Sequence, residues 1–244
     1  MKLSVITICY NETRLIEKTI RSVLNQTFKD YQYIVIDGAS TDGTIEIINK
    51  FDNKIDIFIS ESDKGIYNAM NKGLHYVNGE YVLFLNGGDY LANDRVFENV
   101  FASNCKEDIL HGYMQNIEGD IIKSLPKINI KKYLKSNTLP HQATFVKKRI
   151  FDEIGGFDES FQIAGDYDFF VRAIYEYDAN TKYLPVLVSF FNLNGVARMN
   201  PQRREHEKLT VQRKVKKLNS VYNLLLRKAL KLFPKFLSEQ TKEG

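Results

Sequence analysis

Cysteine is scarce in this chain, because its 244 residues include only Cys9 and Cys105. Two cysteines so far apart lack the close spacing of a zinc site, and Cys9 lies inside the first apolar segment, which argues against a disulfide framework. We therefore expect a reducing, cytoplasmic compartment.

Long apolar runs are also missing. No uninterrupted apolar stretch approaches the roughly 20 residues that a membrane-spanning helix needs. The N-terminus continues from Lys2 into a short run, residues 3–8, which lacks the long apolar core and cleavage site of a secretory signal. We expect a protein that is soluble or peripherally attached to a membrane.

Two phosphate-binding motifs are absent as well. No G-x-G-x-x-G follows a predicted strand, and no G-x-x-x-x-G-K-[ST] loop occurs, which excludes the usual dinucleotide and nucleoside triphosphate sites. A nucleotidyltransferase, which would need a glycine-rich triphosphate loop near its N-terminus, is disfavoured for the same reason.

Acidic residues are scarce at the C-terminus. Residues 203–235 contain eleven Lys and Arg against two Glu, a net charge of +9, so the overall +4 leaves −5 for the rest of the chain. The basic character therefore belongs to a C-terminal extension, and a nucleic-acid-binding surface on the main domain is disfavoured.

Strand-like and helix-like segments alternate over the first ninety residues, the pattern of a mostly parallel sheet flanked by helices. Further on, a helix and short strands with turns at Gly112 and Gly119 suggest an antiparallel addition. The predicted strands cover residues 3–9, 33–37, 55–59, 81–85 and 183–190, and the predicted helices 13–24, 43–51, 66–77, 147–154 and 166–177.

Two loops at the carboxyl ends of the first strands are candidates for ligand contacts, since ligands bind at that edge of such sheets. Tyr10, followed by Asn11, can stack on a nucleobase, or the pair can simply cap the next helix. Asp37 can accept the N3 hydrogen of uracil, whereas Asp42 suits a structural capping role.

Two later loops carry further carboxylates. The loop from Asn86 to Asp89 contains two glycines that permit close approach to a ligand and a hard oxygen that suits Mg²⁺ or Mn²⁺ on a diphosphate. Asp166, at the start of a helix, can act as a general base. The alternatives are a turn residue for Asp89 and a helix-dipole contact for Asp166.

Taken in order, these loops resemble the inverting glycosyltransferase family 2, which has the nucleotide-sugar-binding fold called GT-A. The resemblance covers roughly residues 1–195. It is carried by residues 5–12 (VITICYNE), 37–44 (DGASTDGT), 79–85 (GEYVLFL) and 155–159 (GGFDE). Residues 62–73 (SDKGIYNAMNKG) resemble a bacterial branch that makes surface polysaccharides.

The resemblance implies that Tyr10 stacks on the base, Asp37 reads it, Asp89 holds Mn²⁺ or Mg²⁺, and Asp166 deprotonates the acceptor. Further contacts to the nucleotide are expected from Asn11, Asp63, Lys64, Asn71 and Asn86, with Lys72 as an alternative phosphate contact. A donor and acceptor pocket is expected from His141, Gln142 and Asp168, although His141 is otherwise a satisfied loop histidine.

The activity implied is inverting transfer from a nucleotide-sugar, expected to be a UDP-sugar, to a hydroxyl of a glycan or lipid-linked acceptor in polysaccharide biosynthesis. The implied domain has two halves, residues 1–90 for the nucleotide and 91–200 for acceptor and catalysis. The sequence departs from the family pattern in several places. Gly38 replaces the second carboxylate after the second strand, and Asn86 and Gly88 leave Asp89 as the one acid of its loop. Met70 replaces an arginine and Gly165 replaces a glutamate. A non-catalytic nucleotide-sugar-binding module is therefore the rival hypothesis.

The C-terminal segment, residues 201–244, is predicted to be a basic amphipathic helix with His206 on its surface. Its apolar residues recur every three or four positions, at 211, 215, 218, 222, 225, 229 and 232. Such a helix can bind the anionic inner face of the cell membrane, dock on the catalytic domain, or pair with a second copy of the chain. Membrane attachment is the favoured hypothesis because acceptors in the resembled branch are commonly lipid-linked.

Overall fold

The computed structural model describes residues 1–102, 105–116, 122–123, 129–192 and 200–232. Four parallel strands form one half of its sheet, in the order β3, β2, β1, β4. These strands are β1 (Leu3–Cys9), β2 (Tyr31–Asp37), β3 (Ile57–Ser60) and β4 (Tyr81–Asn86). Between them run α1 (Ile16–Leu24), α2 (Thr44–Ile48) with a 3₁₀ turn (Asn49–Lys54), and α3 (Ile66–Leu74). The predicted alternation of strands and helices is confirmed.

The first helix begins later than predicted, at Ile16 rather than Thr13. Thr13 instead donates from its backbone N–H and its hydroxyl to Asp42 Oδ2, at 3.2 and 2.7 Å. Asp42 also accepts from Thr44, and these hydrogen bonds lower its pKa. The loops after β1 and β2 are thereby joined, which confirms the structural role predicted for Asp42.

The second half adds antiparallel and parallel neighbours to β4. Within the described residues the sheet continues through β8, β6, β9 and β5, with β7 beside β6; β8 is antiparallel to both β4 and β6, and β9 is parallel to β6. The strands are β5 (Tyr90–Leu91), β6 (Ile109–Asn116), β7 (Ile122–Lys123), β8 (Thr144–Lys147) and β9 (Thr181–Phe191). The helices are α4 (Val96–Phe101), α5 (Ile130–Tyr133), α6 (Lys148–Ile154), α7 (Gly165–Val171), continued by a π-helical turn (Arg172–Glu176), and α8 (Pro201–Leu232).

Gly112 corrects one prediction, since it lies inside β6 rather than at a turn. A Cβ atom at this position would stand 2.5 Å from the carbonyl oxygen of Val186. The glycine therefore permits the backbones of β6 and β9 to approach each other closely, at a point where the pairing of these two strands is irregular. Gly119, the other predicted turn, lies outside the described residues.

Apolar side chains cover both faces of the sheet. On one face, residues of α3, α6 and α7 pack around Ile6 and Phe84, and on the other, residues of α1 and α4 pack around Val5 and Leu83. Every residue of β1 is buried, because the strand has a neighbour on each side and helices above and below. Across the described helices, none is both long and apolar enough to cross a membrane.

The first half of α8 docks on the domain. Val211 and Val215 are each 1% exposed and join the core cluster that contains Phe169 of α7, with Leu218 packed against it. The apolar stripe is therefore occupied by the protein itself as far as residue 220. The side chains at positions 222, 225, 229 and 232 lie outside the described part of the chain.

Candidate active site

The predicted loops meet at one edge of the sheet. In the strand register, Asp37 pairs with both Cys9 and Ser60, and Ile8 pairs with Asn86, so four neighbouring parallel strands end side by side. The polar residues that follow these strands therefore share the carboxyl edge, where α/β sheets bind ligands.

Tyr10 presents an aromatic face at this edge. Its side chain is 61% exposed, and its ring lies 3.2 Å from where a Cβ of Gly38 would be. Asn11 beside it has φ of 52° and accepts the backbone N–H of Thr41 at 3.0 Å, which ties the two loops together. The ring is accessible for stacking, as predicted from the sequence.

Asp37 is fully buried, and it organises the second loop. Its Oδ2 accepts the backbone N–H of Ser40 at 2.9 Å and the hydroxyl of Ser60 at 2.7 Å, while Oδ1 accepts the Ser40 hydroxyl. Burial and the nearby Asp37 charge raise the pKa of the Cys9 thiol. In this arrangement both carboxylate oxygens of Asp37 are engaged by the protein.

Asp63 occupies space beside Gly38 that a side chain there would fill. A Cβ on Gly38 would stand 2.5 Å from Asp63 Oδ2. The other oxygen, Oδ1, accepts the N–H of Gly65 at 2.9 Å. Gly38, which stands where the resembled family has its second carboxylate, therefore has the Asp63 carboxylate of a different loop beside it.

The Asn71 side chain, a predicted nucleotide contact, is hydrogen-bonded within the protein. Its Nδ2 donates to the Phe157 carbonyl and to Glu159, each at 2.9 Å, and its Oδ1 accepts the Phe157 N–H at 2.8 Å. The amide thus joins α3 to the loop after α6. Lys72 pairs with Glu61 at 2.8 Å, whereas Lys64 is exposed beside Asp63.

Asp89 is 5% exposed and receives hydrogen bonds at both oxygens. Oδ2 accepts from Gln142 Nε2 at 3.1 Å and Asn86 Nδ2 at 3.2 Å, and Oδ1 accepts the Asn192 N–H at 3.0 Å. Burial raises the pKa of Asp89 to about 6, against the opposing effect of these hydrogen bonds and of His141.

His141 connects this loop to α7. Its Nε2 lies 3.1 Å from Asn86 Nδ2, and its Nδ1 lies 3.1 Å from Asp166 Oδ2. A neutral imidazole with its proton on Nδ1 satisfies both contacts, donating to Asp166 and accepting from Asn86. The result is a continuous chain of hydrogen bonds from Asp89 through Asn86 and His141 to Asp166.

Asp168, predicted to line the pocket, forms ion pairs outside this chain of hydrogen bonds. It is 4% exposed, and it accepts from Arg172 Nε at 2.8 Å and Lys214 Nζ at 3.0 Å. Residues two apart on a helix point to opposite sides, so Asp166 facing His141 turns Asp168 toward α8.

The model of the family described as Glycosyl transferase family 2 matches residues 4–152, which is more than half of the chain. The chain belongs to glycosyltransferase family 2. The matched region contains the first three loops and His141, but it ends before Asp166 and α8.

Two curated relatives of this family 2 glycosyltransferase come from mycobacteria. An uncharacterized glycosyltransferase of Mycobacterium tuberculosis is 33% identical over 177 residues, which cover 70% of this chain and 68% of the relative. A PGL/p-HBAD biosynthesis glycosyltransferase of Mycobacterium bovis is 27% identical over 201 residues, covering 79% and 77% respectively.

Solved structures confirm the GT-A fold. Residues 1–349 of S. aureus TarS, crystallised with UDP, match with a TM-score of 0.71 and 22% identity over 88% of this chain. The mannosyltransferase PcManGT of Pyrobaculum calidifontis, in complex with GDP-Man and Mn²⁺, matches with 0.65 and 18% over 86%. The glycosyltransferase spans 65% and 62% of these two solved chains.

The donor set for a divalent cation is small. Within the described residues no group of three or more His, Cys, Asp or Glu side chains forms a metal site. Magnesium, however, is commonly held by one or two carboxylates together with substrate phosphates rather than by a protein cage. Asp89, a buried carboxylate whose pKa is raised, fits that arrangement because an adjacent cation would offset its burial.

Two acidic residues of this glycosyltransferase escaped the sequence interpretation. Glu12 is a second carboxylate beside the loop from Asn86 to Asp89, because a Cβ on Gly88 would stand 3.6 Å from its Oε2. Burial and the charge of Asp89 raise the pKa of Glu12. Glu207 of α8 is 7% exposed and lies against the segment before α7. The apolar pattern of the sequence could have pointed to Glu207, because this residue lies one helical turn before Val211 and therefore on the same face of the helix.

Proposed function

We propose that this glycosyltransferase transfers a sugar, with inversion, from a nucleotide-sugar to a hydroxyl of a glycan or lipid-linked acceptor in bacterial polysaccharide biosynthesis. The observation that carries the proposal is the chain of hydrogen bonds that joins Asp166 through His141 to the Asp89 loop. UDP is the preferred nucleotide because a relative of the same fold was crystallised with UDP and with UDP-GlcNAc.

The nucleotide would lie across the loops after β1, β2 and β3. Tyr10 offers its exposed ring to the base, and Asn11 holds that loop against the next. Asp63, whose Oδ2 lies beside Gly38, is proposed to recognise the base, while the fully buried Asp37 holds the adjacent loop in place. Lys64 is exposed on the same loop and is suited to a phosphate contact.

Asp166 is proposed as the general base. It is 9% exposed, and its Oδ1 is held by the Tyr167 N–H at 2.7 Å. Its carboxylate accepts the proton of the acceptor hydroxyl while that oxygen bonds to the anomeric carbon and the bond from that carbon to the diphosphate breaks. Attack from the face opposite the leaving group inverts the anomeric configuration, and His141 keeps Asp166 oriented for it.

Mn²⁺ or Mg²⁺ is proposed to be held by Asp89 together with the donor diphosphate, with Glu12 nearby. When bound, the cation neutralises charge on the departing diphosphate. Asn86 and Gln142 hold the Asp89 carboxylate in place for this role, at 3.2 and 3.1 Å.

Contact with an anionic membrane at the cytoplasmic face is proposed for the outer side of α8. Arg204, Arg213, Lys216 and Lys217 are exposed there, while the apolar stripe faces the domain. Replacing Arg213, Lys216 and Lys217 with glutamine is expected to weaken sedimentation with anionic liposomes about 100-fold, at about 1 kcal/mol per charge. Equal sedimentation of parent and triple variant would refute the contact, and zwitterionic liposomes provide the control.

A donor screen tests the proposed function. Purified protein with Mn²⁺ is incubated with UDP-, GDP- and TDP-sugars and candidate acceptors, and nucleotide release and product are measured. Release from one donor is expected, with loss in Asp166→Asn and Asp89→Ala and retention in Asp152→Asn, which changes an exposed aspartate on α6. Nucleotide binding without turnover, identical in parent and Asp166→Asn, would establish the binding module instead.

A further inference from the structure

Glu207 of α8 accepts three consecutive backbone N–H groups. Its carboxylate is bonded to the N–H of Gln162 at 3.1 and 3.2 Å, of Ile163 at 2.8 Å, and of Ala164 at 3.0 Å. These residues immediately precede Gly165, the first residue of α7. Unpaired N–H groups at the start of a helix carry partial positive charge, so a carboxylate is the group they favour.

The local chemistry keeps Glu207 ionised. Burial raises its pKa, but the hydrogen bonds from Arg203 and from the three backbone N–H groups outweigh burial, and the net pKa lies below its ordinary value. Arg203 Nε lies 2.8 Å from Glu207 Oε1, one helical turn away on α8. Hydrogen bonds to a charged acceptor are stronger than those between neutral groups, so this anchor is a firm one.

Further contacts hold the residues on either side of the start of α7. Tyr67 of α3 donates its hydroxyl to the Ile163 carbonyl at 2.8 Å, and its ring is so close to Gly165 that a Cβ there would stand 2.7 Å away. Lys214, two helical turns beyond Glu207, pairs with Asp168 at 3.0 Å. Asp166 lies between these anchors.

We infer that Glu207 is a positioning residue, which sets the place of the Asp166 carboxylate by holding the backbone of residues 162–164. The C-terminal helix is then a support of the active site rather than an appendage. The inference rests on the proposed role of Asp166 as the base. Displacement of a reacting group by about 1 Å can lower a rate by roughly 100-fold, so loss of this anchor is expected to act on kcat.

The test compares Glu207→Gln with two matched variants of the full chain. Glutamine keeps the size of the side chain but removes its charge and one acceptor oxygen. Glu205→Gln makes the same change on the exposed side of the same helix, and Val211→Ala loosens the docking of α8 while leaving the Glu207 carboxylate unchanged. The measurements are kcat, donor KM, nucleotide Kd and Tm.

Glu207→Gln is expected to lower kcat by at least about tenfold while donor KM and nucleotide Kd stay within about twofold. Val211→Ala is expected to lose at least as much in Tm and to keep its kcat when assayed well below that Tm, and Glu205→Gln to match the parent. Full kcat in Glu207→Gln, or an equal loss in Val211→Ala, would overturn the inference. Asp166→Asn is measured in the same experiment. If Asp166→Asn stays active, the assignment of Asp166 as the base fails, and the inference about Glu207 fails with it. If Asp166→Asn is inactive and Glu207→Gln is fully active, only the inference about Glu207 is refuted.

Discussion

Replacing Asp89 with asparagine is expected to make the protein more stable at pH 8 while it removes transferase activity. The folded-state pKa of Asp89, about 6, lies above its ordinary 3.8, so the ionised carboxylate destabilises the fold above pH 6. At about 1.4 kcal/mol per unit, this cost is about 3 kcal/mol at pH 8. The neutral amide avoids it, but its NH₂ group cannot accept the hydrogen bonds now made to Oδ2, which costs about 1 kcal/mol.

The net gain at pH 8 is therefore about 2 kcal/mol, or a rise in Tm of roughly 4–8 °C for a chain of this size. The folded state binds the Asp89 proton more tightly than the unfolded state, so the cost decreases as pH falls through 6 toward 4. At pH 4.5 about 1 kcal/mol of this cost remains in the parent. The hydrogen bonds lost in Asp89→Asn offset that amount, so the parent and the variant are expected to be equally stable at pH 4.5.

The assay is thermal unfolding of parent and Asp89→Asn at both pH values, in a chelator so that no cation compensates the charge. Asp152→Asn, the same change at an exposed aspartate that pairs with Lys148, is the control for the substitution itself. A variant that is less stable than the parent at pH 8, or a gain of equal size at pH 4.5, would show that burial of this charge is not costly. Retained turnover in Asp89→Asn would refute its role in holding the cation.

Three further outcomes are expected. Tyr10→Ala should weaken nucleotide binding about 10- to 100-fold by calorimetry with no change in Tm, because the 61% exposed ring of Tyr10 is free to stack on the base. An unaltered Kd, or an equal loss of affinity in the exposed-tyrosine control Tyr76→Ala, would contradict the stacking. Gly165→Ala should destabilise the protein by about 1–3 kcal/mol in denaturant melts, since its Cβ would meet the Tyr67 ring at 2.7 Å, and parental stability would show that the ring yields without cost. Chelation should abolish nucleotide release in the donor assay and Mn²⁺ should restore it, while full release in chelator would exclude a cation from the reaction.

Local patterns sufficed for most of the fold. The strands β1 and β2 are runs of apolar residues buried along almost their whole length, and each is followed by a helical repeat, so β1 and α3 begin where the sequence predicts. The predicted start of α1 was too early because Thr13 lies in a turn, where its hydroxyl donates to another loop. Its partner Asp42 belongs to a loop 29 residues away.

The residues of the candidate site could be predicted from local patterns, but their partners could not. Tyr10, Asp37, Asp89 and Asp166 could be singled out because each follows a strand or starts a helix at the ligand-binding edge. The partners of a side chain depend on what packs around it, so the bonds of Asn71 to Glu159 and of Asp168 to Lys214 could not be predicted. Both are polar residues on helices, where a shift of one or two positions turns a side chain toward a different neighbour.

The sequence by itself determined the order of strands and helices, the family, and the set of carboxylates at the sheet edge, since these depend on short-range periodicity and on motifs of a few residues. Only the tertiary structure decided which partners those carboxylates have. His141 reaches Asp166 across 25 residues, and Glu207 reaches the segment before α7 across 43 to 45. Contacts over such separations are set by the packing of whole helices against the sheet, and no local pattern specifies them.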